Sequence, residues 1–456
     1  MSDPIKKTTP IESKLPRRRF LEGSTVALAA SAMPAGAFAA AGSDELKIAL
    51  IGCGGRGTGA ASQALQAEDN VKLWAMADAF EPNLEKSRQI LEKGGKISRS
   101  PDGLVLGDKV DVPPERRFVG LDAYRQVMAM DEIDVVILTT PPGFRPIQFE
   151  AAIKAGKHVF MEKPVAVDGP GVRKVLAAAK EAKAKNLKVG VGLNRRHSPL
   201  HNETMNRLHD GGIGDIHSIR LYNCRSGVGK YHKRLPSETE LEYQVGNWYY
   251  FTWLSGDFIV EQSVHDYDLA LWIMKEETPI SCQGLGGRLV RTGADYGHIY
   301  DHFYIEYKYA NGARIYTEHR HMPKCWSQFG AEAAGSKGQA GVISKQRAYI
   351  QLHGENEPSW RDRESGNSYQ IEHDQLFKAI RQDLPHNEAQ RGAHASLLAI
   401  MGRMAAYTGQ ELSWDDALAS QINLVPDAET WDGKPTILPD KDGRYPVDLP
   451  GRKALA

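Results

Sequence analysis

A lysine between a glutamate and a proline follows a short apolar run in the segment HVFMEKPVAV, residues 158–167. The run HVFM has the length and composition of a buried strand, and Lys163 comes where that strand would end. Pro164 restrains Lys163 toward an extended backbone. Partial burial would disfavour the charged form of the lysine, whereas Glu162 could hold it charged. From spacing alone, Lys163 is equally well a reactive group at a sheet edge or a solvated surface residue.

A glycine-rich turn, GCGGRG, lies in the first strand–turn–helix pattern of the chain. Gly52, Gly54 and Gly57 follow the apolar run 47–51 and precede an Ala- and Leu-rich helical pattern. In this context the spacing predicts a dinucleotide site, with one glycine for the tight turn, one for the approach of a pyrophosphate and one for helix packing. The N-terminus of the helix would then face the phosphates.

An acidic residue, Asp78, ends the second predicted strand, VKLWAMAD. This is where a carboxylate binds the adenosine ribose in NAD-binding sheets, and it would repel the extra phosphate of NADP. We therefore expect NAD rather than NADP, although Asp78 could also cap the helix that follows. The residues expected to bind the cofactor are Gly52, Gly54, Gly55, Arg56, Gly57, Asp78, Thr140, Pro141, Glu162 and Lys163.

Strand and helix patterns alternate across residues 46–196, which predicts a doubly wound parallel sheet with an inserted loop at 94–118. After residue 213 the patterns are mostly strands, with an Asn-Gly hairpin signal within 307–313. The overall class is α/β, a Rossmann sheet followed by an α/β domain with an open, mostly antiparallel sheet. We predict these segments: an export signal at 1–42, an NAD-binding domain at 43–196, a substrate-binding and oligomerisation domain at 197–423 whose late helices pack back on the first, and an extended arm at 424–456.

The composition excludes some classes of function. The chain has 57 lysines and arginines and 57 aspartates and glutamates, so it lacks the excess of basic residues that is typical of nucleic-acid-binding proteins. The same balance gives no indication that the protein acts at a membrane surface. The four cysteines are widely spaced and indicate neither a disulfide framework nor a zinc ribbon.

The N-terminal segment has the pattern of an export signal and is not expected to be part of a folded domain. Arg17 and Arg18 precede a soft apolar run, and Ala37 and Ala39 form an A-x-A pattern typical of a cleavage site. The run is short and alanine-rich, poor for a permanent membrane span. We expect a twin-arginine signal and a periplasmic or other extracytoplasmic location; a membrane anchor and a disordered tail are the alternatives.

Three segments in this order, GCGGRG, AGKHVFMEKPVAV and VEQSVHDYDLALW, resemble the glucose–fructose oxidoreductase / inositol dehydrogenase (Gfo/Idh/MocA) family. The resemblance runs from about residue 46 to 415. It implies a Rossmann domain followed by an open-sheet α/β domain, binding of NAD or NADP, and oxidation or reduction of sugars and cyclitols. Lys163 matches the family's catalytic lysine.

The family's second signature is an aspartate followed four residues later by a histidine. Glu261 and His265 occupy those positions, and they would share one helix face if the helix extends back to Glu261. The resemblance implies that His265 is the general base for the substrate hydroxyl. Glu261 would orient the imidazole or bind a second hydroxyl, and its extra methylene makes it a departure from the family. Alternatively, His265 is a helix-start histidine satisfied by Asp268.

Further residues are candidates for the substrate cleft. Asn194 and Arg195 end the predicted strand LKVGVGLNRR, and Arg145 stands in a loop where the family often has histidine, so it either touches a ligand or faces solvent. Trp248 and Tyr250 belong to the aromatic segment GNWYYFTWLSGDF, which is typical of sugar stacking, of core packing or of a subunit interface.

The segment HRHMPKC, residues 319–325, could be read as a metal cluster, but no acidic residue lies nearby in the sequence and we predict no metal site.

The sequence thus predicts an NAD(P)-dependent oxidoreductase acting on a CH–OH group of a sugar or polyol, with a cofactor that stays bound and is recycled by a second substrate. Two alternatives remain: a redox-assisted glycoside-cleaving enzyme, and a non-catalytic binding protein of the same fold. We expect a homo-oligomer, a dimer or tetramer, with no nucleic-acid partner.

Overall fold

The computed structural model describes residues 44–452, except 102, 228–230, 344–346, 364 and 427. The predicted export signal at 1–42 therefore lies outside the described residues. Within the described part of the chain, no helix is both long enough and apolar enough to cross a membrane.

The first sheet has six parallel strands in the order β3-β2-β1-β4-β5-β6, as the Rossmann prediction requires. The strands of this sheet are β1 Leu46–Ile51, β2 Val71–Asp78, β3 Arg117–Val119, β4 Val135–Leu138, β5 His158–Met161 and β6 Val189–Val191. Both faces are covered, since Ile48 and Leu50 pack into one apolar cluster and Ala49 and Ile51 into another. The order reverses between β1 and β4, so a crevice for a ligand opens at the carboxyl ends of these two strands.

Two details of the first sheet differ from the prediction. Residues 117–119, at the edge of the predicted inserted loop, form the short strand β3 and pair with the end of β2. The last strand stops at Val191, and Asn194–His197 form a 3-10 helix instead of continuing it. The helices that flank this sheet or follow it are α1 Gly55–Ala67, α2 Glu81–Lys93, α3 Ala123–Met128, α4 Arg145–Lys154, α5 Gly169–Ala184 and α6 Pro199–His209.

The second sheet has nine strands in the order β14-β13-β12-β11-β7-β10-β9-β8-β15. Of its described pairs only β7 with β10 is parallel, so the prediction of a mostly antiparallel sheet is confirmed. The Asn-Gly turn joins β9 to β10, with Gly312 at φ +87°. The strands are β7 Ile216–Arg225, β8 Ser281–Gly287, β9 His302–Lys308, β10 Arg314–His321, β11 Gln328–Gly335, β12 Gly338–Ile343, β13 Arg347–Leu352, β14 Trp360–Arg363 and β15 Leu412–Ser413.

Helices after β7 connect the two sheets. The long helix α12 packs against both α5 of the first sheet and β8 of the second, and α11 packs against α1. The helices of this part are α7 Glu240–Gly246, α8 Thr252–Ser255, α9 Phe258–Glu261, α10 Val264–Ile273, α11 Ser368–Arg381, α12 Ala389–Thr408 and α13 Trp414–Ala419. The domain boundaries given above stay predictions.

Candidate active site

The glycine-rich turn has the geometry of a phosphate cradle. Gly52 has φ +96°, and a Cβ there would lie 2.6 Å from the backbone nitrogen of Thr140. A Cβ on Gly57 would lie 1.9 Å from the carbonyl oxygen of Gly52, so the glycine lets α1 pack against the end of β1. At Gly54 a Cβ would meet no atom within 4 Å. Gly54 is also the N-cap of α1 and offers no side-chain cap, which leaves the first N–H groups of the helix open to an anion.

A cavity of about 650 Å³ opens above this turn. Nine of the predicted site residues line it: Gly52, Gly54, Gly55, Arg56, Gly57, Asp78, Thr140, Pro141 and Trp248. His232, Glu238 and Val245, which come after β7, line the opposite side together with Trp248. The size of the cavity, the open helix N-terminus and the acidic residue at its edge together fit a dinucleotide such as NAD.

Asp78 lies at the end of β2 and is almost fully buried. Its Oδ2 accepts a hydrogen bond from Cys53 N at 2.6 Å, and its Oδ1 accepts one from Phe80 N at 2.8 Å. The N-cap of α2 is Phe80, so Asp78 steadies the approach to the helix and does not cap it. Burial raises the pKa of the Asp78 carboxyl, while the two backbone donors oppose that shift. The carboxylate therefore fixes the glycine-rich turn and also faces the cavity.

Arg56 connects this turn to two other elements. Its guanidinium binds Glu162 at 2.5 Å and Glu372 of α11 at 3.2 Å. Glu162 also accepts a hydrogen bond from the backbone N–H of Lys163. The prediction that Glu162 holds the lysine ammonium charged is therefore wrong, because the glutamate carboxylate points to Arg56.

The Lys163 ammonium instead binds Glu261. Its Nζ lies 2.9 Å from Glu261 Oε1 and 2.5 Å from the carbonyl oxygen of the same residue. The two side chains are only 13% and 10% exposed, so Lys163 is not a solvated surface lysine. Lys163 follows β5 of the first sheet and Glu261 ends α9, which packs with the second part of the chain. The predicted catalytic lysine thus joins the two halves of the molecule.

His265 lies beside this pair. Burial, reinforced by the positive charges of Lys163 and Arg195, holds the pKa of His265 well below its usual range. The imidazole is therefore neutral near pH 7, and its buried Nδ1 has no hydrogen-bond partner among the described residues. Arg195 donates to Asp266 Oδ1 at 2.8 Å and to the backbone carbonyl of His265, so it lies next to the histidine. Its role as a substrate residue stays a prediction.

Two expectations about this segment are wrong. The helix does not extend from His265 back to Glu261, because α9 ends at Glu261 and α10 begins at Val264. Asp268 does not satisfy the imidazole, since its carboxylate binds the guanidinium of Arg196 through three contacts of 2.8 to 3.1 Å. Glu261 is hydrogen-bonded to Lys163 and Gln262 and not to the histidine.

Arg145 neither lines the cavity above the glycine-rich turn nor faces solvent. It is 1% exposed and donates to the carbonyl oxygens of Leu138 and Thr140, which tie the end of β4 to the start of α4. Burial lowers the pKa of Arg145 to about 10. Asn194 donates to Ser368 Oγ at 2.9 Å, near the start of α11.

The aromatic segment is mainly core. Tyr249, Tyr250, Phe251 and Trp253 are buried, and only Trp248 is partly exposed, at the dinucleotide cavity. Tyr250 packs edge-on against Tyr231 and Tyr296, so its role as a substrate residue stays a prediction.

In the segment HRHMPKC, the ring of His319 is 2.9 Å from Ser263 Oγ and 3.1 Å from Tyr267 Oη, contacts that account for it without a metal.

Three neighbours of the predicted residues were not anticipated. The Gln262 amide donates to Glu261, and Arg225 at the end of β7 donates to Gln262 Oε1 at 3.0 Å. Asp266 holds Arg195. The signal was present in the sequence, because Gln262 and Asp266 directly follow the two predicted residues in VEQSVHD, and Arg225 ends a strand.

The chain is similar to known oxidoreductases. It is 25% identical over 226 residues to an inositol 2-dehydrogenase of Rhizobium meliloti, a match that covers 50% of this chain and 62% of that protein. It is 31% identical over 121 residues to a glycosyl hydrolase family 109 protein of Solibacter usitatus, covering 26% of this chain and 24% of that one. The structure of an aldose–aldose oxidoreductase from Caulobacter crescentus superimposes with a TM-score of 0.62 at 18% identity, over 81% of this chain and 99% of the other. That similarity shows the fold.

The curated relatives are therefore matched over less than two thirds of their length. The family model of the Gfo/Idh/MocA oxidoreductases, described as an NAD-binding Rossmann fold, matches residues 46–192. By that match, residues 46–192 are similar to the NAD-binding Rossmann domain of these oxidoreductases.

Proposed function

We propose that the chain is an NAD-dependent oxidoreductase acting on a hydroxyl-bearing carbon of a sugar or polyol. The observation that carries this proposal is the position of Lys163, which lies at the carboxyl end of a parallel strand, is bound to Glu261 and is next to a neutral His265. The relative named as inositol 2-dehydrogenase supports the substrate class.

The residues of the cradle would hold the cofactor. The open N–H groups at the start of α1 would face the pyrophosphate, Gly54 leaves room for it, and Asp78 would accept the ribose hydroxyls. NAD supplies the hydride acceptor when it is bound.

The roles of the side chains follow from their charge states. His265 is neutral, so it can take the proton of the substrate hydroxyl as that oxygen becomes a carbonyl. Lys163 carries N–H donors that stabilise the developing alkoxide, and in the reverse direction they polarise the carbonyl. Glu261 positions the ammonium through its side chain and its backbone carbonyl.

Two substitutions test the proposal. Lys163→Met and His265→Ala should each lower kcat by about 10²- to 10⁴-fold, the usual contribution of a positioned acid or base. Both should leave NAD binding within a few fold of the unsubstituted protein. Lys180→Met, an exposed lysine on α5, is the matched control and should retain full activity. Near-normal turnover by Lys163→Met on the true substrate would contradict the mechanism.

The cofactor is proposed to stay bound between turnovers. Trp248, His232 and Glu238 line the side of the cavity opposite the Rossmann residues, and His232 Nε2 lies 2.8 Å from Glu238 Oε1. Contacts of these residues with a bound nucleotide would favour its retention, which suits recycling by a second substrate. Mass spectrometry of nucleotide released from natively purified protein tests this, and a preparation without bound nucleotide would exclude it. A comparison of NAD with NADP in the same experiment tests the cofactor preference.

The second candidate function is redox-assisted glycoside cleavage. The similarity to a glycosyl hydrolase family 109 protein favours it, although that match covers only 26% of the chain. Transient oxidation of a hydroxyl acidifies the neighbouring C–H bond and permits elimination of the aglycone. Release of aglycone from an aryl glycoside without net change in NADH absorbance would favour this function over net oxidation.

Export is proposed from the sequence alone, on the basis of Arg17, Arg18 and the A-x-A pattern at 37–39. Replacement of both arginines by lysine should retain the protein in the cytoplasm. Fractionation of cells expressing either version tests this directly.

A homo-oligomer is proposed through the open face of the second sheet. Leu285 of β8 and Tyr304 of β9 are cross-strand partners and are 62% and 39% exposed, an apolar pair that a second copy would cover. Light scattering of the Leu285→Glu variant against the unsubstituted protein tests this interface.

A further inference from the structure

Arg225 lies at the edge of the site and forms no ion pair with the residues that the structure describes. It ends β7, directly opposite His321 of β10 in the parallel ladder. Its guanidinium donates to Asn223 Oδ1 at 2.9 Å and to Gln262 Oε1 at 3.0 Å, both of which are neutral acceptors. Gln262 in turn donates to Glu261, the partner of Lys163. A chain of hydrogen bonds therefore connects Arg225 to the proposed catalytic lysine.

Arg291 lies close to Arg225 and is more isolated. It is 8% exposed, and among the described residues its side chain forms neither a hydrogen bond nor an ion pair. A Cβ on Gly227, two residues after Arg225, would lie 2.0 Å from Arg291 Nη2 and 3.6 Å from the Cβ of His321. The guanidinium carbon of Arg291 lies 5.9 Å from the ring centre of Tyr250. A buried cation of this kind is costly unless a negative group binds it.

Two further polar groups in the same place have no partner. The hydroxyl of Tyr249 and both ring nitrogens of His321 are buried, and the described residues offer them no hydrogen bond. The two rings are stacked with centroids 6.5 Å apart, and Phe258 covers His321 at 4.0 Å. Buried polar groups without partners are rare in folded proteins, and a cluster of them beside a buried guanidinium is a candidate ligand site.

Two arginines beside the site form no ion pair in the described part of the chain. Lys163 is neutralised by Glu261, and Arg195 by Asp266. The remaining cations facing this region, Arg225 and Arg291, have no carboxylate within ion-pair distance in the described part of the chain. The nearby buried carboxylates Asp257 and Asp301 accept hydrogen bonds from other groups, Tyr407 Oη and the backbone N–H of Tyr300 for Asp257 and the backbone N–H groups of residues 289–291 for Asp301. The guanidinium groups of Arg225 and Arg291 therefore remain available to an anion.

We infer that the substrate carries a carboxylate, so that the enzyme acts on a sugar acid such as a uronic or aldonic acid. This inference rests on the proposed function and names its substrate class. Arg225 and Arg291 bind the carboxylate, and the Tyr249 hydroxyl donates to one of its oxygens. A carboxylate is planar and fits the forked donors of a guanidinium, which a neutral hydroxyl does not.

Binding of matched pairs of sugars tests the inference. The probes are D-glucuronate with D-glucose, D-galacturonate with D-galactose, and glucose 6-phosphate, titrated calorimetrically into the NAD-loaded full chain. At least one uronate should bind tenfold or more tightly than its neutral parent. Arg225→Gln and Arg291→Gln should each abolish this preference, whereas Arg291→Lys should retain part of it. Arg220→Gln is the matched control, because Arg220 lies on the same strand, is exposed and forms an ion pair with Glu318.

The outcomes separate the inference from the proposed function. Uronate-selective binding without hydride transfer to NAD would contradict the proposed function and leave the carboxylate site standing. Hydride transfer with neutral sugars that bind as tightly as their acids would overturn the carboxylate site and leave the oxidoreductase standing. Failure of every acid to bind, or a preference for glucose 6-phosphate over the uronates, would also overturn it. NAD binding by each variant, measured in parallel, confirms that the variant is folded.

Discussion

Substitution by alanine should destabilise the protein at Gly57 but not at Gly54, although both glycines belong to the same turn. Gly57→Ala places a Cβ 1.9 Å from the Gly52 carbonyl oxygen, where ordinary contacts begin at 3.4 Å. Because that neighbour is backbone at the end of a buried strand, it cannot move aside, and the overpacking should cost about 3 kcal/mol or more of the free energy of unfolding. Gly54→Ala meets no atom within 4 Å and has φ −67°, which alanine adopts readily. Its stability should change by less than about 1 kcal/mol.

Gly54→Ala, which should leave the stability almost unchanged, should weaken the binding of NAD. The methyl group at residue 54 projects into the space where the pyrophosphate would approach the N–H groups of α1. The loss of one charge-assisted hydrogen bond, worth about 1.5–3 kcal/mol, lowers the affinity for NAD by roughly 10- to 100-fold. Scanning calorimetry gives the stability, and titration calorimetry gives the affinity. Gly293→Ala is the control, since it is also an extended N-cap glycine, and its Cβ would make only ordinary contacts. Normal NAD affinity in Gly54→Ala would refute the assignment of the cradle.

Three other perturbations have definite expected results. Arg56→Met leaves the buried carboxylates of Glu162 and Glu372 without their cation and should lower the free energy of unfolding in urea by about 3 kcal/mol. Asp78→Asn should weaken NAD by about tenfold and reduce discrimination against NADP in fluorescence titrations; unchanged discrimination would show that Asp78 does not contact the ribose. Burial lowers the pKa of His319 to about 3, so its imidazole stays neutral in the native state. In the unfolded chain the same imidazole is protonated below about pH 6.5. The free energy of unfolding therefore decreases as the pH falls below that value. Relative to His319→Gln, the unsubstituted protein should lose about 2 kcal/mol between pH 6.5 and pH 5, and parallel curves for the two proteins would contradict this.

The Rossmann half was predictable because its signals are local. The apolar run of β1, the spacing of Gly52, Gly54 and Gly57, and the acidic end of β2 each follow from a few adjacent residues, and the cavity contains all of them. In the second sheet, β11 has no clear strand signal in the sequence. Its sequence QFGAEAAG is rich in alanine and glycine, which have low strand propensity, and it forms a strand because it pairs along the whole of β7.

The pairing of charges could not be predicted from the sequence. Glu162 and Lys163 are neighbours in the chain, and the simplest expectation is that they bind each other. After a strand, however, successive side chains point in opposite directions, so Glu162 turns toward Arg56 and Lys163 toward Glu261, a residue 98 positions away. Likewise Arg145 reads as a loop residue, and only the tertiary structure shows that it binds the carbonyl oxygens at the end of β4.

The break in the helix between Glu261 and His265 explains how the site holds its lysine. In a continuous helix the carbonyl oxygen of Glu261 would accept the backbone N–H of His265, four residues on. Because α9 ends at Glu261, that carbonyl is free, and it accepts the Lys163 ammonium at 2.5 Å. The lysine is therefore held by a backbone acceptor as well as by a carboxylate. The carbonyl contact depends on where α9 ends, whereas the Glu261 side chain sets the second contact.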